Sequence, residues 1–374
     1  MSLLEIRKLN VDFRISGDVL HAVKNLDAIV NQSETVSMVG ESGSGKSVLV
    51  SAVFGILEKN SSVDGEILFG GRDLLSIPRK EFDLIRRKEL VLIPQNVSQA
   101  WDPMMRIGDQ MREFMTNAGI PEQDVPGIAK DYLSQCGFED PRQIMDTYPH
   151  RLSGGMSQRA MIAMCMSVEP SLVVADEPTK GIDESAKEGI LDLLTSEKWG
   201  SSLLMITHDI GSASRCKRIM VMYAGRCVES GNTAEVLENP LHPYTKGLIG
   251  SDPRRGLNPI PFASRDLFPG ECSFGNRCSL RDDGCDNSLF VVDGREVRCR
   301  HAGGRRSDQG VQAQGLGAQE GRRLGQHDRG QGRDCGAGRP FWLGEIHRRD
   351  DGYEASRAQL RPDPAGRGRR HGHV

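Results

Sequence analysis

Residues 36–49 read VSMVGESGSGKSVL, a short apolar run that breaks into a glycine-rich turn and then enters a helix-compatible segment. Gly40, Gly45, Lys46 and Ser47 match the phosphate-binding pattern G-x-x-x-x-G-K-[ST], with Glu41, Ser42, Gly43 and Ser44 forming the loop between them. The residue types follow from the chemistry. Glycine lets backbone N–H groups close on phosphate oxygens with no side chain in the way. The following helix turns its positive end toward the same anion. Lys46 can reach the terminal phosphates, and the Ser47 hydroxyl can ligate magnesium. The stretch therefore predicts an α/β fold built around a bound nucleotide.

Composition bounds the rest. A chain of 374 residues can bury one large core or two smaller ones. Its hydrophobic content of 37% and its 43 glycines point to an ordered part diluted by something looser. A net charge of −3 argues against a dedicated nucleic-acid binder. The N-terminal MSLLEIRKLNVDF has no basic stretch followed by an apolar core, and no apolar run approaches the roughly 18–20 residues that span a bilayer. A protein of the cytoplasm, or peripheral to the cytoplasmic face of a membrane, is expected. Nine cysteines in that compartment are thiols or metal ligands rather than disulfides.

Taken in order, residues 3–37 fall into short strand-like runs with turns at SGD (16–18) and NQSE (31–34), a small antiparallel sheet leading into the phosphate loop. Phe13 lies in it, either as a half-buried strand aromatic or as a platform beneath adenine. VDGEILFGGRDL (63–74) reads as a hairpin with a DG turn. A charged helix over 80–90 precedes the strand LVLIPQ, which ends at Gln95. A polar, proline-broken helical insertion follows from about 97. LSGGMSQR (152–159) is a second glycine-rich anion site opening a helix, and SLVVADEP is a buried strand ending in Asp176 and Glu177. A carboxylate at that strand end can hold magnesium through water, and its neighbour can polarise an attacking water. The strand SSLLMITHD ends at His208.

In this order and spacing the phosphate loop, Gln95, LSGGMSQR, VVADEP, Asp183 and His208 resemble the ATP-binding-cassette (ABC) transporter ATPases. The resemblance covers residues 1 to about 250. It implies a RecA-like P-loop core with an antiparallel β subdomain and a helical subdomain at about 97–165, all within 1–251. It also implies a head-to-tail dimer of cassettes sandwiching two ATP molecules. Ser47 and Gln95 would ligate Mg2+, with Asp176 in its outer shell. Glu177 would act as general base, and His208 would contact the terminal phosphate. Ser153, Gly154, Gly155 and Gln158 would serve the ATP held by the partner, and Asp183 would link the two sites. PTKGID departs from the family in Lys180 and Gly181, where small residues are usual.

GESGSGKS, YPHRLSGGMSQR and above all NPLHPYTKGLIGS (239–251) further resemble the peptide and nickel uptake importers; PQNVSQAWDPMM (94–105) departs from that group's usual FQDP opening. Peptide is favoured over nickel or a metal chelate. The implied partners are a second cassette subunit, in a heterodimer, two membrane permeases, and indirectly a substrate-binding protein, with no nucleic acid. A soluble cassette ATPase acting on nucleic acid or ribosomes is the rival. Such proteins carry long coiled-coil insertions or paired cassettes, and this chain carries neither.

Residues 252–302 form a cysteine-rich extension. Cys272, Cys278, Cys285 and Cys299 are separated by five, six and thirteen residues, without the zinc-typical spacing of two to four. C-x-F-x-x-R-C resembles the extension of peptide importer ATPases, some of which bind a [4Fe–4S] cluster through four such cysteines. A cluster, a structural zinc and unligated thiols all stay open. Cys136, Cys165, Cys216 and Cys227 read as buried small residues. Residues 303–374 are rich in glycine, arginine and glutamine, and read as a disordered tail. Back-translated and moved one base forward, RPFWLGEIH (339–347) is compatible with GRSGSGKST, a second phosphate loop. An out-of-frame passage through a neighbouring cassette gene would explain the tail.

Overall fold

The computed structural model describes residues 1–15, 17–251 and 272–302. The cysteine segment's linker and the tail, with its expected disorder, lie outside the described residues.

Two sheets organise the described chain. The smaller is antiparallel, with strands β1 (Ser2–Ile15), β2 (Asp18–Asn31), β4 (Ser61–Phe69) and β5 (Arg72–Asp73) in the order β2-β1-β4-β5. The expected DG turn is not a turn. β4 runs straight through Asp64 and Gly65, where the β1 register shifts between Arg7 and Asn10. Gly65 has φ +113°, and a Cβ there would lie 2.8 Å from the Arg7 carbonyl oxygen, so it marks a bulge. The chain reverses instead at Gly70–Gly71, both at positive φ, as the tight turn into β5 requires.

The larger sheet has eight strands in the order β11-β12-β10-β9-β3-β8-β7-β6. Its members are β3 (Thr35–Val39), β6 (Leu90–Ile93), β7 (Leu172–Asp176), β8 (Ser202–Thr207), β9 (Arg218–Tyr223), β10 (Arg226–Asn232), β11 (Phe290–Val292) and β12 (Arg295–Val297). From β9 to β6 the pairing is parallel, and β10, β12 and β11 add an antiparallel edge. The cysteine-rich segment thus supplies the last two strands of the nucleotide-binding sheet.

Every residue of β8 is buried, as expected of a strand covered on both faces. Successive side chains feed opposite cores. Leu203 and Met205 join the core that β6 and β7 share with the helices. Leu204 and Ile206 join the core shared with the antiparallel sheet. A third core gathers Val39, Tyr223, Tyr244 and Phe274.

The helices are α1 (Lys46–Val53), α2 (Arg79–Lys88), α3 (Val97–Ala100), α4 (Ile107–Asn117), α5 (Val125–Gln135), α6 (Pro141–Met145), α7 (Gly154–Met166), α8 (Glu184–Leu194), α9 (Ile210–Ala213), α10 (Thr233–Glu238) and α11 (Pro243–Gly250). α3 to α7 lie between β6 and β7 in the chain. Among the described residues no helix is long and apolar enough to cross a membrane. Cys136, Cys165 and Cys216 are buried, and burial pushes the Cys136 and Cys216 thiols up to about 12.

Candidate functional site

Parallel pairing brings the chemistry-bearing residues to one edge. β3, β6, β7 and β8 run the same way, so their C-terminal ends release the phosphate loop, Gln95, Asp176–Glu177 and His208 on the same side of the sheet. Register fixes their levels, with Val39 beside Thr207 and Ile206 beside Asp176.

The loop between β3 and α1 needs its glycines for room and for backbone angle. A Cβ on Gly40 would lie 2.1 Å from the Met222 carbonyl oxygen, and one on Gly45, at φ +102°, would lie 2.5 Å from that of Ala22. Glu41 through Ser44 make the crest, where Ser42 and Gly43 are exposed and Ser44 is buried. The buried Lys46 ammonium donates to the carbonyl oxygens of Gly40 at 2.7 Å and Glu41 at 3.0 Å. Burial lowers its pKa, opposed by Glu177, Asp176 and Glu41. Lys46 thus lies folded back on the carbonyl oxygens of its own loop.

Asp176 carries a carboxylate that the protein alone does not satisfy. Burial, then the charge of Glu177, raises its pKa, while hydrogen bonding to Ser47 and the charge of Lys46 lower it in part. Its Oδ1 is buried without a hydrogen-bond partner. An unpaired carboxylate oxygen beside the Ser47 hydroxyl suits a hydrated divalent cation. Glu177, next along, has φ +48°, an uncommon angle for a non-glycine residue, and its N–H donates to the Ile206 carbonyl at 2.8 Å. His208 Nδ1 lies 2.8 Å from each carboxylate oxygen of Glu177. Expected at the terminal phosphate, His208 here faces the expected base. Gln95 is exposed just past β6, and Phe13 is half-buried on β1 opposite Leu20 and Ser61.

LSGGMSQR opens α7. Ser153 is the N-cap, its side-chain oxygen accepting from the Met156 N–H at 3.3 Å. Ser153 and Gly154 are exposed, whereas Gly155 and Gln158 are buried. A Cβ on Gly155 would meet Ala186 of α8 at 3.1 Å, so the small residue lets α7 approach α8 closely. Gln158 Nε2 is buried without a hydrogen-bond partner. Asp183 is the exposed N-cap residue of α8, hydrogen-bonded to Ser185, which holds its carboxyl below the usual range.

Several site residues escaped the sequence reading. The Tyr244 hydroxyl accepts from the Glu41 N–H at 2.9 Å, so the motif HPYTKGL pins the phosphate loop. His242 caps α11 through Nδ1, and the buried Glu229 carboxylate accepts from the N–H groups of Leu241 and His242, both at 2.9 Å. Arg295 of β12 approaches the same carboxylate at 3.7 Å. Lys187 and Asp209 pair at 2.8 Å between α8 and the start of α9. Apart from the His242 cap, no local pattern marks these partners, because each is distant from its contact in sequence.

Cys272, Cys278, Cys285 and Cys299 line one small cavity, together with His301. Cys285 Sγ stands 3.6 Å from His301 Nε2, and Asp282 joins these two. No three of the four cysteine sulfurs lie within 4.8 Å of one another. Four thiolates on one zinc ion would sit roughly 3.8 Å apart, given Zn–S bonds of about 2.3 Å.

A phosphate loop after β3, two carboxylates at the end of β7 with β8 between the two strands, and a glycine-opened α7 define an ATP-binding cassette. Residues 23–180 match the family model described as ABC transporter, and residues 228–285 match that of the oligopeptide/dipeptide transporter C-terminal region. The oligopeptide transport ATP-binding protein AppD of Bacillus subtilis is 35% identical, over 80% of this chain and 96% of its own length. The dipeptide transport ATP-binding protein DppD of the same organism is 37% identical, over 79% and 91%. The solved structure of cbiO1 from Clostridium perfringens, part of the ABC transporter complex cbiONQ, is 27% identical with TM-score 0.55, covering 63% of this chain and 91% of that one. The chain belongs to the ATP-binding proteins of the oligopeptide and dipeptide ABC transporters. It is the ATP-binding subunit of a peptide importer, hydrolysing ATP to drive transport as part of an ABC transporter complex.

Proposed function

We propose that this subunit hydrolyses ATP in a composite site, with its own phosphate loop and carboxylates on one side and a partner cassette's LSGG-type segment on the other. The observation that supports this most directly is the placement of Lys46, Asp176, Glu177 and His208 at one sheet edge, with Ser153 and Gly154 exposed on a different element. Phe13 stacks beneath adenine. The loop N–H groups and Lys46 hold the phosphates. Ser47 and Gln95 hold Mg2+, with Asp176 outside them, and the ion neutralises phosphate charge when bound. Glu177 takes the proton of the attacking water, and His208 orients that carboxylate and then meets the terminal phosphate. Positioning and charge neutralisation supply most of the acceleration. Asp183 lies between the two ATP sites of the dimer, and Ser153, Gly154, Gly155 and Gln158 face the partner's ATP.

The partner is a second, different cassette subunit. Gln95 and the helical insertion transmit closure to two permeases at the cytoplasmic face of the membrane, which a substrate-binding protein supplies. The test is phosphate release by the chain alone and with co-expressed permeases and second cassette. Activity should depend on the assembly, and Glu177→Gln should lower it at least roughly 10²-fold while ATP is retained. Full hydrolysis by the isolated chain would contradict the composite site.

We further propose that Cys272, Cys278, Cys285 and Cys299 hold a [4Fe–4S] cluster, which would cross-link the extension. In support, the four thiols line one cavity. Iron and acid-labile sulfide contents of anaerobically purified protein, with the loss of both in Cys278→Ser, test it.

A further inference from the structure

The cysteine turn and the phosphate loop are joined by a single side chain. Arg277 closes the 3-10 turn Gly275–Arg277, immediately before Cys278 and five residues after Cys272. The turn folds on the first cysteine, since the Gly275 N–H donates to the Cys272 carbonyl at 2.8 Å and the Cys278 N–H to that of Gly275 at 3.3 Å. Between these two cysteines, the Arg277 side chain leaves the cavity and crosses to Glu41. Its Nη1 donates to Glu41 Oε2 at 2.9 Å and its Nη2 to Oε1 at 3.0 Å, a two-pronged pair of the kind that fixes orientation as well as charge.

The pair is set in a packed frame. The Arg277 side chain is only 7% exposed, while that of Glu41 is 40% exposed at the loop crest. Tyr223 and Phe274 stand around the guanidinium at 5.7 and 5.8 Å, and the Tyr223 hydroxyl accepts from Nη1 at 3.4 Å. Tyr244, which holds the Glu41 N–H, packs on both rings. Glu41 is thus gripped twice, by Tyr244 at its backbone and by Arg277 at its side chain. Its carbonyl also accepts from Lys46, the cation of the phosphate loop. A change in the turn between Cys272 and Cys278 therefore has a short, packed route through Arg277 and Glu41 to Lys46.

We infer that Arg277 is a positioning residue for the phosphate loop, and that through Glu41 it couples the state of the cysteine site to nucleotide affinity. By linkage the coupling is reciprocal: whatever occupies the cysteine site and orders its turn is held more tightly when nucleotide is bound. The part concerning occupancy rests on the cluster reading; the Arg277–Glu41 link does not.

Calorimetric titration of the full chain with Mg-ADP tests both parts. For the link, Arg277→Gln and Glu41→Ala are each expected to weaken binding roughly 5- to 20-fold, with the double variant no weaker than the worse single one. Arg277→Lys, which keeps the charge but loses the two-pronged geometry, should recover part of the loss. Circular dichroism and melting curves check that the variants are folded. Unchanged affinity in the single variants, or additive losses in the double variant, would overturn the link.

For the coupling, the wild type is titrated before and after anaerobic loading with equal amounts of ferrous and ferric iron together with sulfide. The loaded protein should bind Mg-ADP several-fold more tightly, and Arg277→Gln should take up the same iron yet show no such difference. Equal affinities in both wild-type forms, or a difference that persists in Arg277→Gln, would overturn the coupling. Failure to take up iron would refute the cluster reading instead. The coupling is then read from Cys278→Ser, whose affinity should fall as in Arg277→Gln, and wild-type affinity would overturn it.

Discussion

His208 Nδ1 stands 2.8 Å from both carboxylate oxygens of Glu177, across the ends of the adjacent parallel strands β7 and β8. Glu177 is largely buried and His208 largely exposed, so the pair bridges the sheet edge and the solvent side where ATP must approach. Glu177→Gln should lower the rate of phosphate release roughly 10²- to 10⁴-fold, the range of general-base catalysis, with nucleotide affinity within a few-fold of wild type. His208→Ala should cost a comparable factor. The double variant should be scarcely slower than the worse single one, because the two side chains act as a unit. Single-turnover phosphate release by the assembled complex is the measurement.

Asp176 is the reverse case, a group whose replacement should stabilise the protein. Burial and the neighbouring Glu177 charge disfavour its ionised form, and its Oδ1 has no hydrogen-bond partner. Asp176→Asn should raise the melting temperature of metal-free protein by roughly 2–4 °C for each kcal/mol recovered. The same change should shrink the thermal shift given by Mg-ATP, by about 1.4 kcal/mol for each tenfold loss in affinity. Paired melting curves with and without Mg-ATP check both signs.

Asp209 sets an acid limb on stability. Burial works to raise its pKa, but the Lys187 ammonium and Ser212 outweigh it and hold the carboxyl well below the usual range. A carboxylate with a depressed folded pKa contributes stability that is present above the unfolded value and lost as pH falls below it. Over roughly pH 5 to 2 the wild type should therefore lose stability more steeply than Asp209→Asn. At pH 7, Asp209→Ala should cost about 0.5–2 kcal/mol through the lost cap on α9. Urea unfolding at pH 7 and across roughly pH 5 to 2 distinguishes these effects.

Glu229 holds the start of α11 from below. Its fully buried carboxylate accepts two backbone N–H groups and faces Arg295. Glu229→Ala leaves Arg295 without that carboxylate and should destabilise the protein by about 3–5 kcal/mol, a cost typical of breaking a buried pair. Because Tyr244 follows two residues after His242, ADP affinity should fall as well, by calorimetry at a temperature where the variant remains folded.

Much of the nucleotide edge was legible in residue order. The loop glycines, Lys46 and Ser47 are consecutive, and the carboxylates end an apolar run, so local spacing carries their geometry. The DG dipeptide misled because Gly65 serves a bulge opposite Arg7, a condition set by a distant strand; the turn lies at the neighbouring Gly70–Gly71. Glu41 was legible as a loop residue but not as the partner of Arg277, which follows it by 236 positions. Likewise HPYTKGL was legible as a family mark, while the seat of Tyr244 on the Glu41 N–H was not.

The sequence by itself determined the cassette class and the identity of the phosphate-loop and strand-end groups, because these depend on backbone freedom and chemical type at short range. Only the tertiary structure decided that the cysteine segment completes the nucleotide-binding sheet and grips the phosphate loop through Arg277. Those contacts arise from strand order and core packing, which bring distant residues together irrespective of their spacing along the chain.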